Sequence, residues 1–339
     1  MQYVRPARTA DLPAIERLYR ESVIGVTSLL ADRDQLFERV QRSLSCFEHE
    51  ATAGAGHEYY AFVLEDEGQI LATAAITSSA GLGEPYYSYR NEIFVHASRE
   101  LKVHHRVHVL NRCHDLTGLA QLCGFYIDSA CSAEGAQLLS RARLMFIAAQ
   151  RLRFGKRIIA EMQGMRDEHG QSPFWNALGR VFFDLDFTHL EQVWGRYGKA
   201  VVADLMPCYP IYVPLLPDEA QGAISQVHPR SECACQILSS EGFELDNYID
   251  IFDGGAILTA EIDRLQTLQH SRLHRVELVD TLPACAKPRL ISNQDCAQYR
   301  ACFAPVAISD KVLSMQPDTA ALLRIGNGDW VRSIDPLIF

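Results

Sequence analysis

Leu119-Ala120-Gln121-Leu122-Cys123-Gly124-Phe125-Tyr126-Ile127, the turn Asp128-Ser129-Ala130-Cys131-Ser132, a helical run to Ala149 and the apolar Ile158-Ile159-Ala160-Glu161-Met162 decide the fold. The first segment is short and apolar, as a buried strand is. In the helical run, Leu138, Ala142, Met145 and Ala149 recur at spacings of four, three and four, the period of a helix face. The last segment, preceded by Arg157, again reads as a strand. The middle of the chain is therefore strand, helix, strand.

Toward the N-terminus, residues 3–6 read as a short strand. Thr9 or Asp11 then caps a helix with Leu12, Ile15 and Tyr19 on one face. A second helix begins near Asp32, with Leu36, Val40, Leu44 and Phe47 spaced by four, four and three, and the small-residue stretch 51–56 ends it. Residues 59–64 and 70–77 are strands joined by Asp66-Glu67-Gly68, a hairpin signal. Residues 81–118 read as an insertion, with the aromatic loop Gly83-Glu84-Pro85-Tyr86-Tyr87-Ser88-Tyr89-Arg90 and strands at 92–96 and 103–110.

Toward the C-terminus, Ser172 and Pro173 open a helix as N-cap and first helical residue. A Pro-rich stretch follows at 207–217, then helices from Asp218 and after Pro229, and a strand at 248–252 closed by Asp253-Gly254-Gly255. From about residue 265 short strands appear among turns, at 276–279, 289–292, 299–303 and 330–334. The expected class is α+β, with one larger unit at 1–262 and a small, barrel-like β domain at 263–339.

A chain of 339 residues has room for roughly two domains of ~150 residues. With 48% hydrophobic and 22% charged residues, the composition is that of a soluble globular protein and excludes a disordered one. The 32 basic against 42 acidic side chains leave a net charge of −10. Such a chain has no global attraction for nucleic acid or anionic membranes, so neither is an expected partner, although one local basic pocket remains allowed. Apolar runs such as 144–149 fall far short of a membrane span. Arg5 and Pro6 stand where an export signal needs an apolar core, so a cytoplasmic location is expected. Ten cysteines without a Cys-x-x-Cys pair read as reduced thiols. Cys233 and Cys235 point to different faces of a helix. His104 and His108 face one side of a strand and His105 the other, so no metal site is expected.

The order strand–helix–helix–strand–strand–strand–helix–strand–helix–strand is similar to that of GNAT acyl-CoA transferases. Particular segments narrow the likeness. Asn91-Glu92-Ile93-Phe94-Val95-His96-Ala97-Ser98-Arg99, His114-Asp115-Leu116-Thr117-Gly118, Ser172-Pro173-Phe174-Trp175, Gln226-Val227-His228-Pro229 and Tyr248-Ile249-Asp250-Ile251-Phe252-Asp253-Gly254-Gly255 resemble the arginine N-succinyltransferase family. The match runs over nearly the whole chain. Residues 209–216 (YPIYVPLL) and 90–117 look closest to the α chain of the two-subunit arginine/ornithine form. The resemblance implies a GNAT-like core with insertions. It also implies transfer of the succinyl group of succinyl-CoA to the α-amine of L-arginine or L-ornithine, the entry step of arginine catabolism. Succinyl-CoA is then a co-substrate, with no cofactor held permanently. The implied partner is a homologous β subunit in a hetero-oligomer, with a homodimer as the alternative. A second reading is a weakly active or non-catalytic α subunit that supports a catalytic β subunit.

This chemistry needs an unprotonated amine, fixed donors for the thioester oxyanion, and a proton for the leaving thiolate. His228 matches the family's proton donor, and its ordinary pKa suits proton transfer at neutral pH. Its other possible role is to cap the helix after Pro229. In GNAT folds the strand before the cofactor helix splays, and its backbone N–H groups meet the acyl and pantetheine parts. Here that strand is 124–127, and the family's succinyl-CoA-binding position falls at about Phe125.

The GNAT pyrophosphate motif, R/Q-x-x-G-x-G/A, falls on Cys131-Ser132-Ala133-Glu134-Gly135-Ala136. Of its key residues only Ala136 fits. Cys131 replaces the basic residue, and Glu134 replaces the central glycine with a charge that repels a diphosphate. Arg90 is the candidate for the succinyl carboxylate. Asp115 and Glu161 are the candidates for the guanidinium of arginine.

Overall fold

Val4, buried in strand β1 (Tyr3–Pro6), belongs to a sheet that runs through the whole molecule. The computed structural model describes residues 1–21, 33–49, 56–81 and 83–336. After β1 come α1 (Leu12–Glu21), α2 (Arg33–Glu48), the hairpin β2 (Tyr59–Asp66) and β3 (Gln69–Thr77), and the hairpin β4 (Ser88–Ser98) and β5 (Val103–Cys113). Next are β6 (Ala120–Ile127), α3 (Ala133–Ala149) and β7 (Arg157–Glu161). Short helices fill much of 173–203, followed by β8 (Ile211–Tyr212), helices Asp218–Ala223 and Glu232–Glu241, and strands β9 (Glu244–Asp250) and β10 (Ala256–Glu261). The chain closes with β11 (Arg272–Leu278), β12 (Lys287–Ser292), β13 (Ala301–Ser309), β14 (Val312–Met315), a helix at Pro317–Leu323, and β15 (Trp330–Ile334). The expected helix start at Asp32 and the stretch 51–55 lie outside the described residues.

The strands hydrogen-bond in the order β12-β15-β11-β14-β13-β1-β2-β3-β6-β7-β10-β9-β4-β5-β8. β12 also pairs with β13, which closes the first five into a small barrel and removes their edges. The barrel shares β13 with the main sheet, because Tyr3 and Val4 of β1 pair with Cys302 and Ala301.

Local chemistry accounts for the main turns. Glu67 (φ 48°) and Gly68 (φ 83°) both adopt positive φ between Asp66 and Gln69, as the tight primed hairpin turn requires. β6 and β7 run parallel, so a crossover must join them, and α3 provides it. Residues Gly135 to Ile147 of α3 are all buried, so the helix is a central element rather than a one-faced one. Phe146 of α3 packs edge-on against Phe62 of β2 and Tyr299 at the barrel, with ring centroids 5.3 and 5.2 Å apart. The Tyr299 hydroxyl donates to the Ala142 carbonyl at 2.7 Å, which fixes the barrel to the same helix.

The sequence reading lacks three strands: β8, a two-residue strand inside the Pro-rich stretch, and β10 and β14. Asp253-Gly254-Gly255 is a turn into β10, whose Ala256-Ile257-Leu258 run has no alternation because it lies between β7 and β9, covered on both faces. β14 has only four residues, too few to show a period.

Candidate functional site

The parallel pairing of β6 with β7 stops early. Ala120, Gln121 and Leu122 pair with Ile158, Ile159 and Ala160, and beyond Leu122 the two strands part. On its other side β6 carries a bulge, since two residues, Gly124 and Phe125, stand opposite Ala74 of β3. Gly124 has φ +60°, a conformation that favours glycine at the first bulge position. The bulge turns the Gly124–Phe125 backbone out of ladder register where the strands separate.

A cavity of about 340 Å3 lies beside this parting. Arg39 and Arg42 of α2 line one part of its wall, and Glu84, Tyr86, Glu161 and Lys199 line another. Glu161, 4% exposed at the end of β7, accepts the Tyr86 hydroxyl at 2.6 Å and the Lys199 ammonium at 2.6 Å. Lys199 also reaches Asp250 at 3.3 Å. Asp250 in turn accepts the backbone N–H groups of Phe252 and Asp253, at 2.8 and 2.9 Å. Asp253 takes those of Gly164 and Gly255, both at 2.9 Å. Gly164 must be glycine for this approach, because a Cβ there would meet the Asp253 carbonyl oxygen at 2.6 Å.

The charges in this cluster set one another. Burial favours neutral Lys199, yet Glu161 and Asp250 outweigh it and hold the ammonium above its ordinary pKa. Burial also acts to raise Asp250, but Lys199 and the two backbone donors hold it below the usual carboxylate range. Asp253 is pushed up to about 7 by burial and by the neighbouring Asp250. Burial, then Glu161, raises the Tyr86 phenol well above its ordinary value, so it remains a donor.

Of the residues singled out in the sequence, Glu161 lines this cavity and Phe125 sits in the bulge. Ala136 is buried in the first turn of α3, and its N–H bonds the Ser132 carbonyl at 3.0 Å. Arg90 and Asp115 pair with each other at 2.7 Å. Arg90 also forms an ion pair with Glu92 at 2.9 Å, and the Tyr248 hydroxyl donates to Asp115 at 3.1 Å. That cluster belongs to β4, β9 and the turn after β5 and contributes nothing to the cavity wall.

His228 follows the β7 side, with its backbone N–H on the Gln163 carbonyl at 2.8 Å. Its Nδ1 accepts the Arg230 N–H at 3.1 Å, so the ring caps the turn after Pro229 and the neutral imidazole carries its proton on Nε2. Burial, then Arg166 and Arg230, lowers its pKa.

The start of α3 is capped by Ser132, whose hydroxyl accepts the Gly135 N–H at 3.0 Å. Cys131 is half-buried, and Glu134 is exposed in the first turn. The tightly packed glycine here is Gly135, where a Cβ would come within 3.0 Å of the Gln2, Leu64 and Cys131 side chains. Lys199 was not visible as a site residue in the sequence, because no motif surrounds it. Asp250 and Asp253 lay inside a quoted family segment and Tyr86 inside the aromatic loop, without an assigned role.

Among the described residues, no helix is long and apolar enough to cross a membrane, and no group of three or more His, Cys, Asp or Glu side chains is placed to hold a metal ion. His104, His105 and His108 are exposed on β5.

Known proteins give a consistent picture. A family model described as arginine N-succinyltransferase beta subunit matches residues 2–267, and the model of its C-terminal domain matches 272–335. The chain is 43% identical over 338 residues to arginine N-succinyltransferase subunit alpha of Pseudomonas aeruginosa, covering 98% of this chain and 99% of that one. It is 40% identical over 333 residues to subunit beta of the same organism, covering 98% and 97%. Against the arginine N-succinyltransferase of Salmonella typhi it is 38% identical over 341 residues, covering 98% and 97%. The solved structure of arginine/ornithine succinyltransferase subunit AI from Pseudomonas aeruginosa superposes with a TM-score of 0.90 at 41% identity, covering 100% of this chain and 99% of that one.

Proposed function

The chain belongs to the arginine N-succinyltransferase family, and from that premise we propose that it transfers the succinyl group of succinyl-CoA to the α-amine of L-arginine. The observation that carries this reading is the β6–β7 parting with its bulge at Gly124–Phe125, opening beside a cavity lined by both carboxylates and guanidinium groups. A parted parallel pair of this kind, joined by a buried crossover helix, supports a GNAT-type core. There the thioester lies between the strands, and the backbone N–H groups of the bulge face the carbonyl oxygen as it becomes an oxyanion. The amine nitrogen attacks the carbonyl carbon, a C–N bond forms, the C–S bond breaks, and the CoA sulfur leaves with a proton.

Arginine carries a cationic guanidinium and an anionic carboxylate, and the 340 Å3 cavity offers partners to both. Glu161 and Glu84 suit the guanidinium, and Arg39 and Arg42 suit the carboxylate. His228 is the proposed proton carrier, with Nδ1 tied to the backbone and Nε2 left to carry the proton, although the residue is not part of the cavity wall. Ornithine has an ammonium in place of the guanidinium and would meet the same carboxylates.

We further propose a homologous β chain as partner, because relatives bear both subunit names. The start of α3 supports the division of labour. Glu134 stands in its first turn, the Cys131 position lacks a basic side chain, and nearby Asp128 is held by Arg17 at 2.5 Å. The β chain would then supply the stronger CoA site. Two successive family models, one ending at residue 267 and the next beginning at 272, also support the barrel as a second unit.

The test is release of CoA thiol when succinyl-CoA and arginine are mixed with the chain alone and with the co-purified pair. Arginine-dependent release by the pair, and slower release by the chain alone, is expected. Release that ignores arginine would overturn the reading.

A further inference from the structure

Two buried arginines, two residues apart on α3, meet opposite surroundings. Arg141, 1% exposed, is fully matched, with its Nε on Glu241 at 2.7 Å and Nη1 on the Asp335 carbonyl at 2.8 Å. Arg143, 3% exposed, has no carboxylate partner among the described residues. Among the described residues its Nη1 has only the Ala75 carbonyl at 3.4 Å, its Nη2 only the Ser140 hydroxyl at 3.2 Å, and its buried Nε has no acceptor. Burial lowers its pKa to about 10, which still leaves a cation at neutral pH. A buried charge without a counter-ion costs stability unless something supplies the anion.

The position of Arg143 says where that anion comes from. Its guanidinium lies over the Phe125 ring at 5.2 Å, next to the bulge. It lines a narrow cleft of about 20 Å3 between the parted strands, together with Cys123, Phe125 and Glu161. Cys123 and Glu161 line the large cavity as well, so the cleft and the cavity adjoin at the parting. Cys123 is neutral, since burial pushes its thiol up to about 11. Arg90, the guanidinium singled out in the sequence, already holds two carboxylates away from this parting.

We propose that Arg143 binds the terminal carboxylate of the succinyl group and makes the enzyme select succinyl-CoA over uncharged acyl-CoAs. This rests on the transferase reading above. Two methylenes separate the succinyl carbonyl from its carboxylate, so a thioester held at the Gly124–Phe125 bulge directs the acid into the cleft. The cleft has room for one water-sized group, which the carboxylate displaces as it widens the space. A site built to pair a buried charge rejects an analogue that lacks it far more strongly than a site that measures only length.

The test compares succinyl-CoA with butyryl-CoA, its four-carbon counterpart without the acid, in the assembly that is active. Arg143→Met is expected to lower kcat/KM for succinyl-CoA by about 100-fold or more and to leave butyryl-CoA at or above its unaltered rate. Arg143→Lys should fall between the two. Equal losses with both acyl donors would make Arg143 structural and overturn the proposal. Turnover of succinyl-CoA at its full rate in Arg143→Met would overturn it too. Should these variants fail to fold, a structure of the unaltered protein with a non-reactive succinyl-CoA analogue decides. The terminal carboxylate must lie at about 2.7–2.9 Å from Arg143, the distance of a charge-assisted bond, and a carboxylate seated elsewhere contradicts the proposal. If no acyl donor reacts with arginine in any assembly, the transferase reading itself fails, and this subsite with it.

Discussion

Lys199 stands 2.6 Å from Glu161 and 3.3 Å from Asp250, so a single ammonium bridges the end of β7 and the β9–β10 turn at the wall of the cavity. The Tyr86 hydroxyl holds the second Glu161 oxygen. Glu161 is thereby fixed in position by two elements far from it in sequence, the aromatic loop and the short helix at Lys199–Ala203.

Glu161→Gln keeps the shape and removes the charge. Lys199 retains Asp250 and is partly solvated, so the expected stability loss is modest, about 1–2 kcal/mol. The KM for arginine should rise at least about tenfold, or ~1.4 kcal/mol, while the KM for succinyl-CoA stays within a factor of about two. Steady-state kinetics with each substrate varied in turn reads this. An unchanged KM for arginine removes Glu161 from acceptor binding.

Asp253 predicts an unusual pH dependence. Its native pKa of about 7 lies above the ordinary carboxylate value of 3.8, so between those two values the folded protein binds more protons than the unfolded chain. This group therefore favours the fold fully below about pH 4, and that contribution is lost as pH rises toward 7. Asp253→Asn cannot titrate. Although it gives up one of two backbone bonds, its stability should decline less than the parent's over that window, as urea unfolding at a series of pH values would measure. Parallel curves for parent and variant would contradict the assignment.

His228 can be divided into its two roles. His228→Ala removes the cap and the ring, and should cost ~1 kcal/mol of stability and about 100-fold in kcat. His228→Asn can cap in the same place but cannot carry a proton. It should recover the stability and not the rate. Recovery of both by asparagine would show that the ring matters only as a cap.

Glu134 sits in the first turn of α3, where the proposed GNAT-type core would bring the CoA phosphates to the helix. Glu134→Gln should tighten CoA binding several-fold at low salt, in line with up to ~1 kcal/mol for a charge at a helix end. The gain should shrink as salt is raised. Calorimetry at two ionic strengths checks this, and an affinity indifferent to the substitution would place the phosphates elsewhere.

Much of this was legible in the sequence because the deciding elements carry strong local signals. The spacing of Leu138, Ala142 and Met145 marks α3, and Asp66-Glu67-Gly68 marks the β2–β3 turn that the structure contains. β10 was hidden, since a strand covered on both faces shows no alternation, and β14 was too short to show one. Glu161 could be nominated because it ends an apolar strand. Its fixing partner Lys199 could not, because only the fold brings residues 161 and 199 together. Arg90 was the natural choice for an anion, being next to an aromatic loop, but a sequence does not reveal that Glu92 and Asp115 already neutralise it. The unpaired state of Arg143 was equally invisible, since the pattern of α3 gives Arg141 and Arg143 the same appearance.

The central claim is that succinyl moves from CoA to the α-amine of arginine, and the most direct measurement is mass spectrometry of arginine after incubation with succinyl-CoA and the purified protein, with and without its sister chain. The account predicts arginine carrying one succinyl group on the α-nitrogen, and no product from arginine whose α-amine is already blocked. Absence of succinylated arginine under both conditions, or succinyl found on the guanidinium, would contradict it.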